Sequence, residues 1–222
     1  MTAVQQLTTL DYGLLIAAVL GSFLVGSIPF GYLIGRFFYR TDLRTSGSGN
    51  IGAMNALRTL GKGGAIAVLL LDAAKGFLPV ALLLSLHTFH VGSYYLVGHF
   101  LGLASLTGAC AVLGHCFSPW LGWKGGKGVA TSFGVILALS WPALLVVVVG
   151  WAAGALIVSR YSSVGSMFAN VVAPFALYFF THSTAATLYG VFVAIFIVWT
   201  HRENIGRLRA GTEGPLRLFQ RK

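Results

Sequence analysis

The sequence has little charge. Lys, Arg, Asp and Glu make up 9% of its 222 residues, against about 25% in an ordinary soluble domain. Acidic groups are scarcest: Asp11, Asp42, Asp72, Glu203 and Glu213 are all there are. Hydrophobic residues reach 56%, and a soluble fold of this size could not hide that much apolar surface. A water-soluble class is therefore excluded, and lipid is the expected solvent. Cys110 and Cys116, the two cysteines, form no zinc or CxxC pattern and are expected to pack as small apolar residues. No lysine or arginine precedes the first apolar run, and no clear small-residue cleavage site ends it. A retained helix is expected there, not a signal peptide. No GxxxxGK[ST] loop occurs, which excludes the usual nucleotide-phosphate cradle. No internal repeat is visible, so the inverted-repeat signature of many transporters is also missing.

Long apolar runs are abundant. A helix needs about 20 apolar residues to cross the hydrocarbon core. Runs near 12–35, 64–86, 93–117, 129–140, 142–159, 164–180 and 185–201 predict an all-α integral membrane protein, a seven-helix bundle in one domain spanning residues 1–222. The run at 129–140 is short, and Ser140 with Pro142 marks a tight turn after it. Continuous apolar runs argue against the alternation of a barrel. Small-residue pairs at Gly31/Gly35, Gly98/Gly102 and Gly150/Gly154 predict close packing. His87, His90 and His182 fall near the outer helix ends.

Net charge is +10, but the positive residues sit between the spans, which argues against nucleic acid as their partner. With seven crossings, every lysine and arginine except Lys75 falls on one side of the membrane. The positive-inside rule makes that side cytoplasmic, with the N-terminus outside and the C-terminus inside.

Three polar clusters share the cytoplasmic side. In Ser46–Arg58, SGSGNIGAMNALR, glycines 47, 49 and 52 allow tight turns that expose N–H groups as an anion nest. Ser48, Asn50 and Asn55 add neutral polar groups, and Arg58 a planar fork suited to phosphate or carboxylate. A flexible linker would not need two asparagines among its glycines. In Gly114–Thr131, GHCFSPWLGWKGGKGVAT, Gly125, Gly126 and Gly128 surround Lys127, with Lys124 alongside, just before a helix. Backbone N–H groups at a helix start plus a lysine suit a phosphate without any adenine pocket. Thr131 is a helix cap or a ligand contact, and His115 a packed interfacial histidine or a catalytic group. In His201–Glu213, HRENIGRLRAGTE, His201 and Asn204 share a helix face. Glu203 and Arg207 are expected to form a surface ion pair. Glu213 is placed to latch the C-terminal tail to a cation. Asp72 and Lys75 lie inside the second span at i, i+3, either neutralising each other or serving the chemistry.

Together these clusters resemble one family, the bacterial acylphosphate:glycerol-3-phosphate acyltransferases called PlsY. Gly47–Arg58 is similar to the family's GSGNIGA-T-N-x-LR, Gly114–Thr131 to GH-x-F followed by KGGKGVAT, and His201–Glu213 to HREN-I-x-RL with GTE. Met54 departs from the usual threonine, which removes any chemical role for that side chain. The resemblance runs from about residue 15 to the end. It implies transfer of a fatty acyl group from acyl phosphate to the 1-hydroxyl of glycerol 3-phosphate, without metal or nucleotide cofactor. Lysophosphatidic acid and inorganic phosphate would be the products, made at the cytoplasmic face of the bacterial inner membrane. Carried over by position, it implies that Ser48, Arg58, Lys127, His201 and Asn204 hold glycerol 3-phosphate. His201, Lys127, Ser48 and Asn204 would be the catalytic group. Gly125, Gly126, Lys127, Gly128, Asn50 and Asn55 would hold the acyl phosphate. Lys124, His115, Thr131, Asp72, Lys75 and Glu213 would support them. The expected partners are glycerol 3-phosphate, fatty acyl phosphate and membrane lipid, with no nucleic acid and no obligate protein partner.

Two other classes fit the pattern less well. An organic-anion transporter needs polar groups along a path and access from both sides, but only Asp72 and Lys75 lie deep in a span. A structural protein whose basic loops bind anionic lipid needs scattered lysines, not three asparagine- and glycine-rich clusters. The His-x-x-x-x-Asp pair of the other large class of glycerol-phosphate acyltransferases is absent.

Overall fold

The computed structural model describes residues 9–90 and 95–216. Among them are ten α-helices and no strand. In chain order these are α1 Thr9–Ser27, α2 Phe30–Phe38, α3 Ala53–Thr59, α4 Gly61–His90 and α5 Tyr95–Cys116. Then follow α6 Val129–Leu139, α7 Trp141–Ala152, α8 Ser162–Thr181, α9 Thr184–Thr200 and α10 Arg202–Arg209. Side chains facing outward are strongly apolar, with Leu70 62%, Phe175 72% and Ile195 69% exposed. That belt is what a bundle solvated by lipid presents. The main core lies between α4, α5, α6, α8 and α9, around Val112, Val135, Ile136, Leu177 and Ile197.

Five stretches are long and apolar enough to cross a membrane: Ile16–Phe38, Gly61–Ser85, Leu101–Leu121, Trp141–Val158 and Ser162–Thr181. The pair Thr184–Thr200 and Arg202–Arg209, bent by 53°, makes a sixth. The expected span at 129–140 is α6, with 11 residues. It is about 16 Å long, roughly half the hydrocarbon core.

The first expected span is broken. Pro29 offers no N–H, and Ile28 before it is pushed out of the helical region, so α1 stops at Ser27 and α2 restarts at Phe30. Glycines then set how closely the pieces approach. At Gly150 and Gly154, α7 and its π-helical continuation Ala153–Val158 lie against α8 at Ala169 and Gly165, as the small-residue spacing predicts. Gly31 and Gly35 do something else: their bare faces admit the Ile51 and Thr41 carbonyls, so α2 seats the loop that carries the first cluster. Gly102 touches nothing closely; Gly98 lies within α5, and its packing and the side chains of His87 and His90 lie outside what the structure describes. His182 closes α8 in a left-handed conformation. Both cysteines are free, with Cys116 buried.

Candidate active site

The first cluster folds around its own asparagines. The Asn55 amide donates to the carbonyls of Leu43, Ser46 and Asn50 at 2.8–3.0 Å, and its oxygen accepts from Ser48 N at 2.8 Å. The Asn50 oxygen accepts from Gly52 N at 2.8 Å. The Asn55 side chain is spent on shaping the loop, so the expectation that it contacts acyl phosphate gives way to a scaffolding role; of Asn50, the oxygen is engaged in the same way. Gly47 and Gly49 take positive φ, 60° and 72°, where other residues are strained. The loop leaves the Ser48 side chain exposed. Arg58, near the end of α3, reaches the third cluster by donating to Gly214 O at 3.4 Å.

The glycine loop departs from expectation in a similar way. Gly125 N donates to Cys116 O at 2.9 Å and Gly126 N to His115 O at 3.0 Å. These N–H groups bind the end of α5 and are not available to a phosphate. The two positions have no room for a side chain: a Cβ on Gly125 would collide with His115 O, and one on Gly126 with the His115 ring. The helix start begins at Gly128, which precedes α6 with φ 86°. From there the first helical N–H groups have no intrahelical partner. Thr131 does not cap α6, whose cap has no side-chain bond. It is fully buried, with its carbonyl against Gly76 of α4. Lys124 is exposed.

Lys127 turns into the third cluster. Its ammonium donates to Asn204 Oδ1, and its carbonyl accepts from Thr200 Oγ1 at 3.0 Å. Asn204 donates to Glu213 Oε1 at 2.6 Å, and the same oxygen accepts from Ser163 Oγ at 2.9 Å. The other oxygen of Glu213 meets Arg207 Nε at 2.7 Å. The tail latch expected of Glu213 thus exists. Its cation is Arg207, so Arg207 serves the tail instead of the expected pair with Glu203. Leu216 N bonds Arg160 O at 2.9 Å and ties the tail down further. Ser163 was not foreseen. Its signal is the polar series Ser163, Ser166 and Asn170, at i, i+3 and i+7 within an otherwise apolar helix.

Charge is finely poised here. Burial, reinforced by the Arg207 charge, pushes the Lys127 ammonium down to about 8, while Glu213 and Glu203 pull it up. His201 is buried and holds Nδ1 at 2.8 Å from Ile197 O. A carbonyl only accepts, so Nδ1 carries the proton and Nε2 the lone pair. Burial alone would raise the Glu213 carboxyl. Hydrogen bonds from Asn204, Arg207 and Ser163 outweigh it and hold the group below the usual range.

Asp72 and Lys75 lie behind this site. Their side chains are each 2% exposed and 2.8 Å apart, with His115 Nδ1 at 3.5 Å from Asp72 Oδ1. This cluster lies behind the glycine loop, whose Gly126 meets the His115 ring.

Comparison with known proteins shows the family. The family model described as glycerol-3-phosphate acyltransferase matches residues 16–211. A glycerol-3-phosphate acyltransferase of Mesorhizobium japonicum is 46% identical over 208 residues, 93% of this chain and 98% of that protein. One from Rhodopseudomonas palustris strain BisB5 is 44% identical over 204 residues, covering 92% and 97%. Two crystal structures of PlsY, an integral membrane glycerol 3-phosphate acyltransferase, superpose on the fold. The glycerol 3-phosphate form gives TM-score 0.81 at 35% identity, covering 94% of this chain and all of that one. The lysophosphatidic acid form gives 0.79 at 34%, with the same coverage. The matched range takes in the first two clusters and the third as far as Gly211, and the chain belongs to the membrane glycerol-3-phosphate acyltransferase family, PlsY.

Proposed function

We propose that this enzyme transfers a fatty acyl group from acyl phosphate to the 1-hydroxyl of glycerol 3-phosphate, giving lysophosphatidic acid and inorganic phosphate. The observation that carries the reading is that two segments far apart in sequence both reach the C-terminal one: Lys127 donates to Asn204, and Arg58 to the Gly214 carbonyl next to Glu213. Both substrates carry phosphate, and a site for them needs two anion pockets at one end of an apolar bundle. Arg58, Lys127, Ser48, Asn204 and His201 suit the glycerol 3-phosphate. The α6 start from Gly128, with Lys127 beside it, suits the acyl phosphate. The relatives' names and the ligand forms of the two neighbours support glycerol 3-phosphate as the acceptor and lysophosphatidic acid as the product.

The chemistry asks for little beyond positioning and charge neutralisation. The 1-hydroxyl oxygen attacks the acyl carbonyl carbon. The bond from that carbon to the phosphate oxygen breaks, and phosphate leaves with the bonding pair. In this reading the proton of the 1-hydroxyl passes to a phosphate oxygen, and His201 Nε2 accepts from the neighbouring 2-hydroxyl and so orients the glycerol.

The topology belongs to the same proposal: seven crossings, N-terminus outside, site on the cytoplasmic face of the bacterial inner membrane. The hairpin of α6 and α7 begins at Gly128 and returns by Arg160. The sidedness of every other segment is therefore the same whether or not α6 spans the bilayer fully.

The test offers purified protein glycerol 3-phosphate with palmitoyl phosphate or palmitoyl-CoA. Lysophosphatidic acid and phosphate are expected from the acyl phosphate alone. Product from the CoA ester alone would overturn the donor. Liposome uptake without product would favour a transporter.

A further inference from the structure

The buried Asp72–Lys75 pair takes no part in the chemistry above, yet it sits where the two halves of the site are hung. Lys75 Nζ lies 2.8 Å from Asp72 Oδ1 and 2.8 Å from Ile28 O. It also faces the Phe30 ring at 5.6 Å. Ile28 follows the last residue of α1, and Phe30 is the first of α2, so one ammonium grips the Pro29 break from both sides. α2 in turn seats the first cluster, because Gly31 and Gly35 admit the Ile51 and Thr41 carbonyls. On the other side, Asp72 faces His115 at 3.5 Å, and the His115 ring abuts Gly126, next to Lys127. A chain of contacts therefore runs from the Ser48 loop through α2, Ile28, Lys75, Asp72 and His115 to the Lys127 loop.

Stability alone does not explain the pair. Charges at this depth are costly, and well-packed apolar residues in place of a buried ion pair are often as stable or more so. We propose that Asp72 and Lys75 are positioning residues: they fix the α1–α2 break against the end of α5, and so hold the Ser48–Arg58 loop and the Lys127 loop in the register that lets both reach one glycerol 3-phosphate. This rests on the functional reading above. Wild-type turnover of acyl phosphate tests that reading separately.

The decisive variant is Asp72→Asn with Lys75→Met, which removes both charges and leaves neither unpaired. It is expected to fold with a thermal midpoint near that of wild type. Its KM for glycerol 3-phosphate should rise about tenfold or more, since small misplacements of binding groups are expensive. The KM for acyl phosphate should change by less than about threefold, because the glycine loop keeps its direct bonds to the end of α5. A folded double variant with wild-type constants would overturn the proposal and leave the pair a structural one. If that variant does not fold, Ser118→Ala decides. Ser118 Oγ donates to Ser27 O at 2.7 Å at the same break, and its loss leaves no buried charge. A selective rise of about threefold in the glycerol 3-phosphate KM is expected, and an unchanged KM would overturn the proposal.

Discussion

The Lys127 ammonium, from the glycine loop before α6, donates to the side-chain oxygen of Asn204, in the first turn of α10. The amide of Asn204 donates onward to Glu213, so the charge assigned to substrate in the proposed site is aimed by a neutral group and balanced by a carboxylate behind it. This relay explains why an asparagine, which bears no charge, belongs beside the anion pocket. It accepts from the lysine without neutralising it.

The relay sets a pH window. Lys127 is held at about 8, below its ordinary value, so its charge is present below that pH and lost above it. The second ionisation of a phosphate monoester lies near pH 6. Affinity for glycerol 3-phosphate should therefore be greatest between about pH 6 and 8 and weaken above. Initial rates at subsaturating glycerol 3-phosphate across pH 5.5 to about 9.5 check this. A flat alkaline limb would remove Lys127 from the pocket.

Glu213→Gln should move that limb to lower pH. The carboxylate raises the Lys127 pKa, and Arg207, which it pairs with, lowers it. Neutralising Glu213 removes the first influence and unmasks the second. The same pH series on the variant reads the result, and a limb shifted upward would contradict the assigned geometry.

The glycines of the loop should differ sharply. Gly125→Ala drives a Cβ into the His115 carbonyl, which as backbone cannot yield. A cost of about 1–3 kcal/mol or more is expected, with lost activity. Gly122→Ala meets nothing within 4 Å but keeps φ at 62°, so about 1–2 kcal/mol of backbone strain is its only cost. Thermal midpoints and specific activities of the pair make the comparison.

His201→Ala should keep turnover. A dedicated general base contributes about 100- to 10,000-fold, whereas a ring that only orients the glycerol is expected to change kcat by about tenfold or less, with a raised KM for glycerol 3-phosphate. Complete loss of turnover with unchanged binding of glycerol 3-phosphate would make His201 the base.

Much of this site is readable from residue types. Long apolar runs, lysines and arginines gathered in the loops, and three glycine–asparagine clusters are local patterns, and in the structure Lys127 bonds Asn204 while Arg58 bonds the Gly214 carbonyl beside Glu213. What escaped them depends on who meets whom. Asn55 is polar and sits in an anion-like loop, yet its amide is consumed by three carbonyls of that loop. Gly125 and Gly126 look like a nest, but their N–H groups are bonded to the turn at the end of α5. Arg207 is spaced to pair with Glu203, but a chain reversal at Gly211 delivers Glu213 to it instead. Pro29 marked the broken first span in plain view, hidden only by the length of the apolar run around it.

The most direct test is the place of the glycerol 3-phosphate phosphate in a crystal of this protein grown with that ligand. The phosphate oxygens are predicted to lie at hydrogen-bond distance, about 2.7–3.2 Å, from both Lys127 Nζ and the Arg58 guanidinium. A phosphate held by only one of the two clusters, or found away from both, would contradict the single converged site.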